Sequence, residues 1–144
     1  MKQLANTHLA HGMKFDYPAD WLVTEENSGE DLTLTASDEG VALWSVTLMP
    51  GRPDPKTVLK MALRAFQDEY TEVDVTEVTD VLAGHAAEGI DIDFECLELL
   101  NVASLRSFVT EDSTFLIMYQ TSSDELDELE SVFEAMNRSF RCDS

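Results

Sequence analysis

One segment of the sequence, residues 115–119 (Phe-Leu-Ile-Met-Tyr), is apolar at every position. A strand that packs on one face only alternates apolar and polar residues, because successive side chains point to opposite faces of the sheet. A strand without that alternation is buried on both faces. We therefore expect this segment to be an interior strand of a layered domain, with strands on either side and further elements packed above and below.

Alternating patterns predict the other strands. Apolar residues recur at every second position, the period of a half-buried strand, in five stretches: residues 15–17, 21–23, 32–36, 42–48 and 90–96. Two interruptions are also predicted. Residues 25–31 are polar, which is typical of a loop, and the alternation slips near Thr76 and Glu77, which indicates a bulge.

Two helices are indicated by start signals and apolar stripes. The first is predicted over residues 55–69, where Asp54 is a candidate N-cap and Pro55 suits the first helical position. The second follows a capping-box pattern made by Ser122 and Glu125. Its apolar stripe comprises Leu126, Leu129, Val132, Phe133 and Met136. Strands, a helix, strands and a helix without βαβ repeats predict an α+β fold with an antiparallel sheet.

The length of 144 residues suits one domain, which we expect over residues 13–141 after a flexible N-terminal segment, residues 1–12. No apolar run approaches the roughly 18 residues that span a bilayer, and the N-terminus lacks the apolar stretch of a signal peptide. Two cysteines, Cys96 and Cys142, are too few for a disulfide scaffold. We therefore expect no membrane insertion and a cytoplasmic location.

Three segments resemble PsbP-like domains. Residues 15–21 (Phe-Asp-Tyr-Pro-Ala-Asp-Trp) are similar to the F-x-Y-P-x-x-W opening of that family, residues 82–87 to its mid-chain turn, and residues 139–141 to its ending. The resemblance covers residues 13–141 and implies an α/β/α sandwich, with helices packed on both faces of an antiparallel sheet. Relatives include photosystem II extrinsic subunits, the Ran guanine-nucleotide release factor and secretion-effector adaptor chaperones, which are mostly binding or accessory proteins. No binding residue of a relative can be carried over.

The net charge of the chain restricts the classes of molecule that it can bind. Nine basic residues stand against 29 acidic ones, for a formal net charge of -20. Nucleic acids and anionic membranes are repelled by such a surface, whereas a basic segment of another protein is attracted. The same charge could instead serve solubility, or it could be an adaptation to high salt, where screening removes the self-repulsion.

An acidic row and a basic stripe are the candidate sites. Asp91, Asp93 and Glu95 share one strand face and follow His85. One interpretation is that these residues bind a metal ion or form an acid–base pair. The alternative is a solvated strand face without a site. The basic residues at the first helix are Arg52, Lys56, Lys60 and Arg64. The last three recur every four residues and so share one side of the helix, either as a docking strip for an anionic group or as a solvated face paired with nearby acids.

The sequence contains no recognisable nucleophile motif or metal-binding spacing, so we predict no catalytic residue and no cofactor. The leading hypothesis is a non-catalytic protein-binding, accessory or adaptor domain with a strongly acidic surface. Its contacts would run through a sheet face or the acidic surface around the last helix. The alternative is a small metal-ion-binding protein or metal-assisted enzyme that uses the acidic strand face.

Overall fold

The computed structural model describes residues 3–143, which form two antiparallel sheets and two helices. The elements in chain order are β1 (Asn6–Ala10), β2 (Met13–Tyr17), β3 (Leu22–Ser28), β4 (Asp31–Ser37), β5 (Leu43–Met49), α1 (Pro55–Glu69), β6 (Thr71–Leu82), β7 (His85–Cys96), β8 (Leu99–Val109), β9 (Thr114–Ser122), α2 (Ser123–Ser139) and β10 (Arg141–Cys142). The smaller sheet has the order β1-β2-β10 and the larger one β3-β4-β5-β9-β8-β7-β6. The predicted α+β class with an antiparallel sheet is confirmed.

The apolar segment at residues 115–119 lies in β9, the central strand of the seven-stranded sheet, between β5 and β8. Its side chains alternate between two core clusters. Phe115 and Ile117 belong to the cluster that contains Phe133 of α2, and Leu116 packs against the cluster that contains Leu59 of α1. The prediction of an interior strand is thus confirmed. Only two helices occur in residues 3–143, so helices covering both faces of the sheet remain a proposal.

The first helix has its predicted bounds and the second begins at its predicted start, but their caps differ from the expectation. Asp54 and Ser122 occupy the N-cap positions, and neither side chain makes a capping hydrogen bond. The Thr121 hydroxyl instead donates to the Glu125 carboxylate over 3.2 Å, so the predicted capping box does not form. Acidic residues in the first turn of α2 and Arg138 in its last turn still favour the helix dipole.

The expected flexible segment at residues 1–12 contains a strand. Residues 6–10 form β1, which pairs with β2 along its whole length, and the His8 ring lies 5.5 Å from the Phe15 ring. The strand has little sequence signal, because its inward-facing positions are polar or small: Asn6, His8 and Ala10. Residues 1 and 2 lie outside the described residues.

Two further differences concern the edge strands of the large sheet. The segment expected as a loop, residues 25–31, is mostly strand, because β3 continues to Ser28 and pairs with β4. The register shift of β6 lies between Thr71 and Asp74, not near Thr76. Both strands are mostly exposed, and an exposed edge strand does not need the regular alternation on which the predictions depended. Among the described residues, no helix is both long and apolar enough to cross a membrane.

Candidate functional site

The last two strands of the large sheet form a long hairpin beside α1. β6 and β7 have 12 residues each, and the turn between them contains Ala83 and Gly84 at φ 51° and 80°. Both values lie in the left-handed region that a two-residue type I′ hairpin requires. α1 packs mainly over β8 and β7 and makes fewer contacts with β6. The edge strand β6 therefore projects beyond the cover of the helix.

A groove runs between α1 and this hairpin, with a volume of about 490 Å³. Its apolar floor contains Leu59 and Leu63 from the helix, Val75 from β6 and Ile90 from β7. Lys56 and Lys60 form the rim on the helix side, and Glu77 and Glu88 form the rim on the hairpin side. We call this feature the hairpin groove. Its size lies within the range of about 300–1,000 Å³ that is usual for ligand sites.

The two rim lysines are unpaired. Within residues 3–143 the ion pairs join His11 to Glu25 and Arg106 to two aspartates; none includes Lys56 or Lys60. In a chain with a net charge of -20, these two ammonium groups border an apolar floor without an ion pair among the described residues. They are available for carboxylate or carbonyl oxygens of a bound molecule.

The predicted basic stripe is only partly at the groove. Lys56 and Lys60 line it, whereas Arg64 is exposed on the next turn of α1 and is not part of the lining. Arg52 precedes the helix and has another role: its Nε atom donates to the Thr110 carbonyl over 3.0 Å. That hydrogen bond ties the segment before α1 to the residue that follows β8. The structure thus brings two of the four candidate residues together.

The predicted metal candidates are not gathered into one site. His85 stacks on Phe108, with ring centroids 5.2 Å apart, and its six-residue separation from Asp91 corresponds to roughly 20 Å along a strand. Asp91 pairs with Arg106, and Asp93 is exposed. Within the described part of the chain, no three His, Cys, Asp or Glu residues are placed to hold a metal ion.

The acidic row nevertheless lies on a structured face of the hairpin, opposite the groove. Arg106 of β8 crosses β7 to reach both strands of the hairpin: its Nε atom lies 3.2 Å from Asp80 of β6, and its Nη1 atom lies 2.9 Å from Asp91 of β7. Asp93 stands directly across from Asp74 of β6. Like charges at directly opposed positions destabilise a strand pair, so this face carries an unrelieved negative charge.

Gly89 makes the Arg106 crossing possible. It pairs with Val78 on one side and with Arg106 on the other. A Cβ atom at Gly89 would lie 2.7 Å from Arg106 Cδ and 2.9 Å from Val78 Cγ2, which is closer than van der Waals contact allows. Sequence reasoning missed both Gly89 and Arg106. An isolated glycine in a strand pattern signals close backbone approach, and that was the available clue.

Among residues 3–143, three titratable groups have raised pKa values, and burial is the main cause in each case. Desolvation raises the pKa of Tyr119, whose ring stacks on Phe133 with centroids 4.4 Å apart. It also raises the pKa of Tyr70 and of the Cys142 thiol. None of these three residues lines the hairpin groove. The geometry of the groove is therefore that of a binding site with an apolar floor and charged rims.

Comparisons with known proteins bear on the fold. No protein-family model matches the sequence, and no curated protein matches it. Among solved structures, the chain is similar to the cyanobacterial PsbP protein (CyanoP) of Synechocystis, with a TM-score of 0.63 and 15% identity over 92% of this chain and 87% of that one. It is also similar to LpqN of Mycobacterium tuberculosis, which is involved in cell envelope biogenesis, with a TM-score of 0.56 and 14% identity over 92% and 83%.

A third similar structure is PA94 of Pseudomonas aeruginosa, a protein of unknown function described as a putative regulator. Its TM-score is 0.55 and its identity 11%, over 90% of both chains. All three alignments extend over most of both chains, with the same architecture at low identity. Similarity at such low sequence identity concerns the path of the backbone, so the role of a residue in one of these proteins cannot be assigned to a residue of this chain. The chain therefore has the PsbP-like fold that its opening segment and its element order predicted.

Proposed function

We propose that this chain is a non-catalytic protein-binding domain of the accessory or adaptor kind, and that the hairpin groove is its binding site. The observation that carries the proposal is the combination of an apolar floor with Lys56 and Lys60, two cations without an ion pair in residues 3–143. Apolar burial supplies affinity at such a site, and the few polar groups orient the bound molecule.

The layering of the domain supports this position for the site. We infer that α1 and α2 cover opposite faces of the large sheet, since alternate residues of β9 belong to the clusters of different helices. In that arrangement each helix protects the centre of its own face. The border at β6 is then a part of the α1 face that the helix covers only slightly, and a partner can reach it without displacing either helix.

The charge of the domain restricts the partner. A net charge of -20 repels nucleic acids and anionic lipid surfaces, and it accelerates encounter with a partner that carries basic groups. We propose the cytoplasm as the compartment, because both cysteines are free and reduced thiols persist there. A metal-assisted function has no comparable support, because His85 lies far along the strand from the acidic row and the described residues include no group placed to hold a metal ion.

The proposal is tested by partner capture with charge-reversed variants. We expect the Lys56→Glu/Lys60→Glu variant to lose a partner that the unchanged protein recovers from source-cell lysate at low ionic strength. Arg64→Glu is the matched control, since this exposed residue is on the same helix but outside the groove. Mass spectrometry at two ionic strengths reports the charge dependence. Equal recovery by the double variant and the control would refute the groove as the binding site.

A further inference from the structure

We propose that the segment bound at the hairpin groove is an extended peptide that adds to β6 as an eighth strand of the large sheet. Its apolar side chains face the groove, and its lysine or arginine side chains lie on the opposite face. This inference rests on the proposed function and adds the conformation and the chemical class of the partner. It is carried by the open edge, the two faces of β6 and the charge on one of them.

The edge of β6 is suited to strand addition. In the described residues β6 pairs with β7 only, and its pairing is regular from Asp74 to Leu82. The sequence of β6, TEVDVTEVTDVL, contains neither proline nor glycine. Its outward backbone groups are therefore a template for another strand, and main-chain hydrogen bonds to such an edge are a general mode of peptide recognition.

The groove face of β6 requires apolar side chains from an added strand. Val75 lines the groove beside Leu59 and Leu63, and this residue is 38% exposed. Side chains of paired strands that lie on the same face are neighbours. An added strand would therefore place every second side chain on the same face as Val75. An apolar group opposite Val75 extends the floor and removes this valine from water.

The opposite face requires positive charge. Asp74 and Asp93 are exposed and stand directly across from each other, and Asp80 and Asp91 share a single cation, Arg106. Four carboxylates with one guanidinium leave this face negative. A lysine or arginine of the added strand that pairs with Asp74 relieves the repulsion between Asp74 and Asp93, because it supplies the missing countercharge.

The same charges exclude a second copy of this chain as the added strand. Pairing of two β6 strands would bring the acidic residues of both copies, Asp74, Glu77 and Asp80, onto one narrow ribbon. Charged residues on an edge strand are a common protection against such self-association. The edge of β6 therefore disfavours pairing with a second β6 and favours pairing with a basic peptide.

The test uses the full chain and a defined probe, the peptide acetyl-Lys-Val-Thr-Val-Lys-Val-Thr-Val-Lys-amide. Two control peptides accompany it. One has glutamate in place of lysine, and the other is N-methylated along its central residues, so that it keeps its side chains but those residues cannot donate backbone hydrogen bonds. We expect the lysine peptide to bind in calorimetric titration and to slow amide hydrogen exchange along β6. Both control peptides should bind at least about tenfold more weakly.

Protein variants locate the contact. Asp74→Lys should weaken binding of the lysine peptide by about tenfold, since it puts like charges side by side. Glu26→Lys is the matched control, because Glu26 is an exposed carboxylate on β3, the other edge strand of the same sheet. It should change binding by less than about twofold.

Either of two results would overturn the strand-addition proposal: a lysine peptide that does not bind, or an N-methylated peptide that binds as tightly as the unmethylated one. The proposed function survives those results if the Lys56→Glu/Lys60→Glu variant still loses its lysate partner while Arg64→Glu retains it. In the opposite case, the lysate test fails but the lysine peptide still binds at β6. That result would refute Lys56 and Lys60 as anchors and leave the edge of β6 as the binding element.

Discussion

The turn between β7 and β8 stores backbone strain that a two-residue replacement should release. Cys96 pairs with Leu99, so the turn consists of Leu97 and Glu98, at φ 53° and 64°. Both residues are in the left-handed region, which costs roughly 1–2 kcal/mol for an L-residue with a side chain. Each of the three other hairpins with two-residue turns has a glycine: Gly12 and Gly84 at the second position and Gly29 at the first.

We expect the double substitution Leu97→Asn/Glu98→Gly to stabilise the protein by about 1 kcal/mol. Glycine at the second position removes about 1–2 kcal/mol of strain and costs roughly 0.5–1 kcal/mol in the entropy of the unfolded chain. Asparagine tolerates the left-handed conformation better than leucine and contributes a few tenths more. Little burial is lost, because Leu97 is 91% exposed. The midpoint of thermal unfolding should rise by about 3 °C.

Urea unfolding and calorimetry measure the effect, and Leu97→Ser is the control variant. Serine removes the exposed leucine but keeps a side chain in the left-handed conformation, so it should leave the free energy of unfolding nearly unchanged. A double variant that is no more stable than Leu97→Ser would refute the reasoning, because the turn would then carry no releasable strain.

Three further results are expected. Gly89→Ala should destabilise the fold by about 1–3 kcal/mol in urea unfolding, since the added methyl overlaps the Arg106 side chain; an unchanged midpoint would contradict the close packing. Asn137→Leu should cost about 1–3 kcal/mol, because it removes the buried acceptor of the Trp44 indole N–H, now 2.8 Å away. Burial raises the pKa of the Cys142 thiol above its usual 9.0. The folded chain should therefore lose stability as pH rises past 9.0, because the unfolded chain releases this proton first. The Cys142 thiol should also alkylate more slowly in the folded chain than in the urea-unfolded chain. Cys142→Ser, compared by urea unfolding between pH 8 and 10, should reduce that alkaline loss.

Several elements could be predicted because their signals are local. The apolar run at residues 115–119 identified β9 as a central strand, and Pro55 with the apolar spacing that follows it predicted α1 at its observed bounds, Pro55–Glu69. The alternation in residues 90–96 likewise predicted which side chains of β7 are buried, with Cys96 only half-buried at the end. In α1 and β7 burial repeats with the geometric period of the element, and in β9 both faces pack against core clusters, so each pattern is visible in the sequence itself.

The edge strands and the caps could not be predicted in the same way. β1 and β3 are mostly exposed or half-buried, so selection for an apolar face leaves only a weak pattern. Ser122 and Glu125 have the residue types and spacing of a capping box, but the Glu125 carboxylate accepts a hydrogen bond from the Thr121 hydroxyl instead. The hydrogen-bond partner of Glu125 depends on which donor lies nearer in the folded chain, and the sequence pattern does not contain this information.

The sequence alone determined the class of the fold, the identity of the central strand, the acidic net charge and the presence of a basic stripe on α1, because these follow from residue type and spacing along the chain. Only the tertiary structure decided that Lys56 and Lys60 border a groove while Arg52 and Arg64 do not, that Asp74 stands across from Asp93, and that Arg106 crosses Gly89. These contacts join residues far apart in sequence. Their distances follow from strand register and helix position, which depend on the packing of the whole domain.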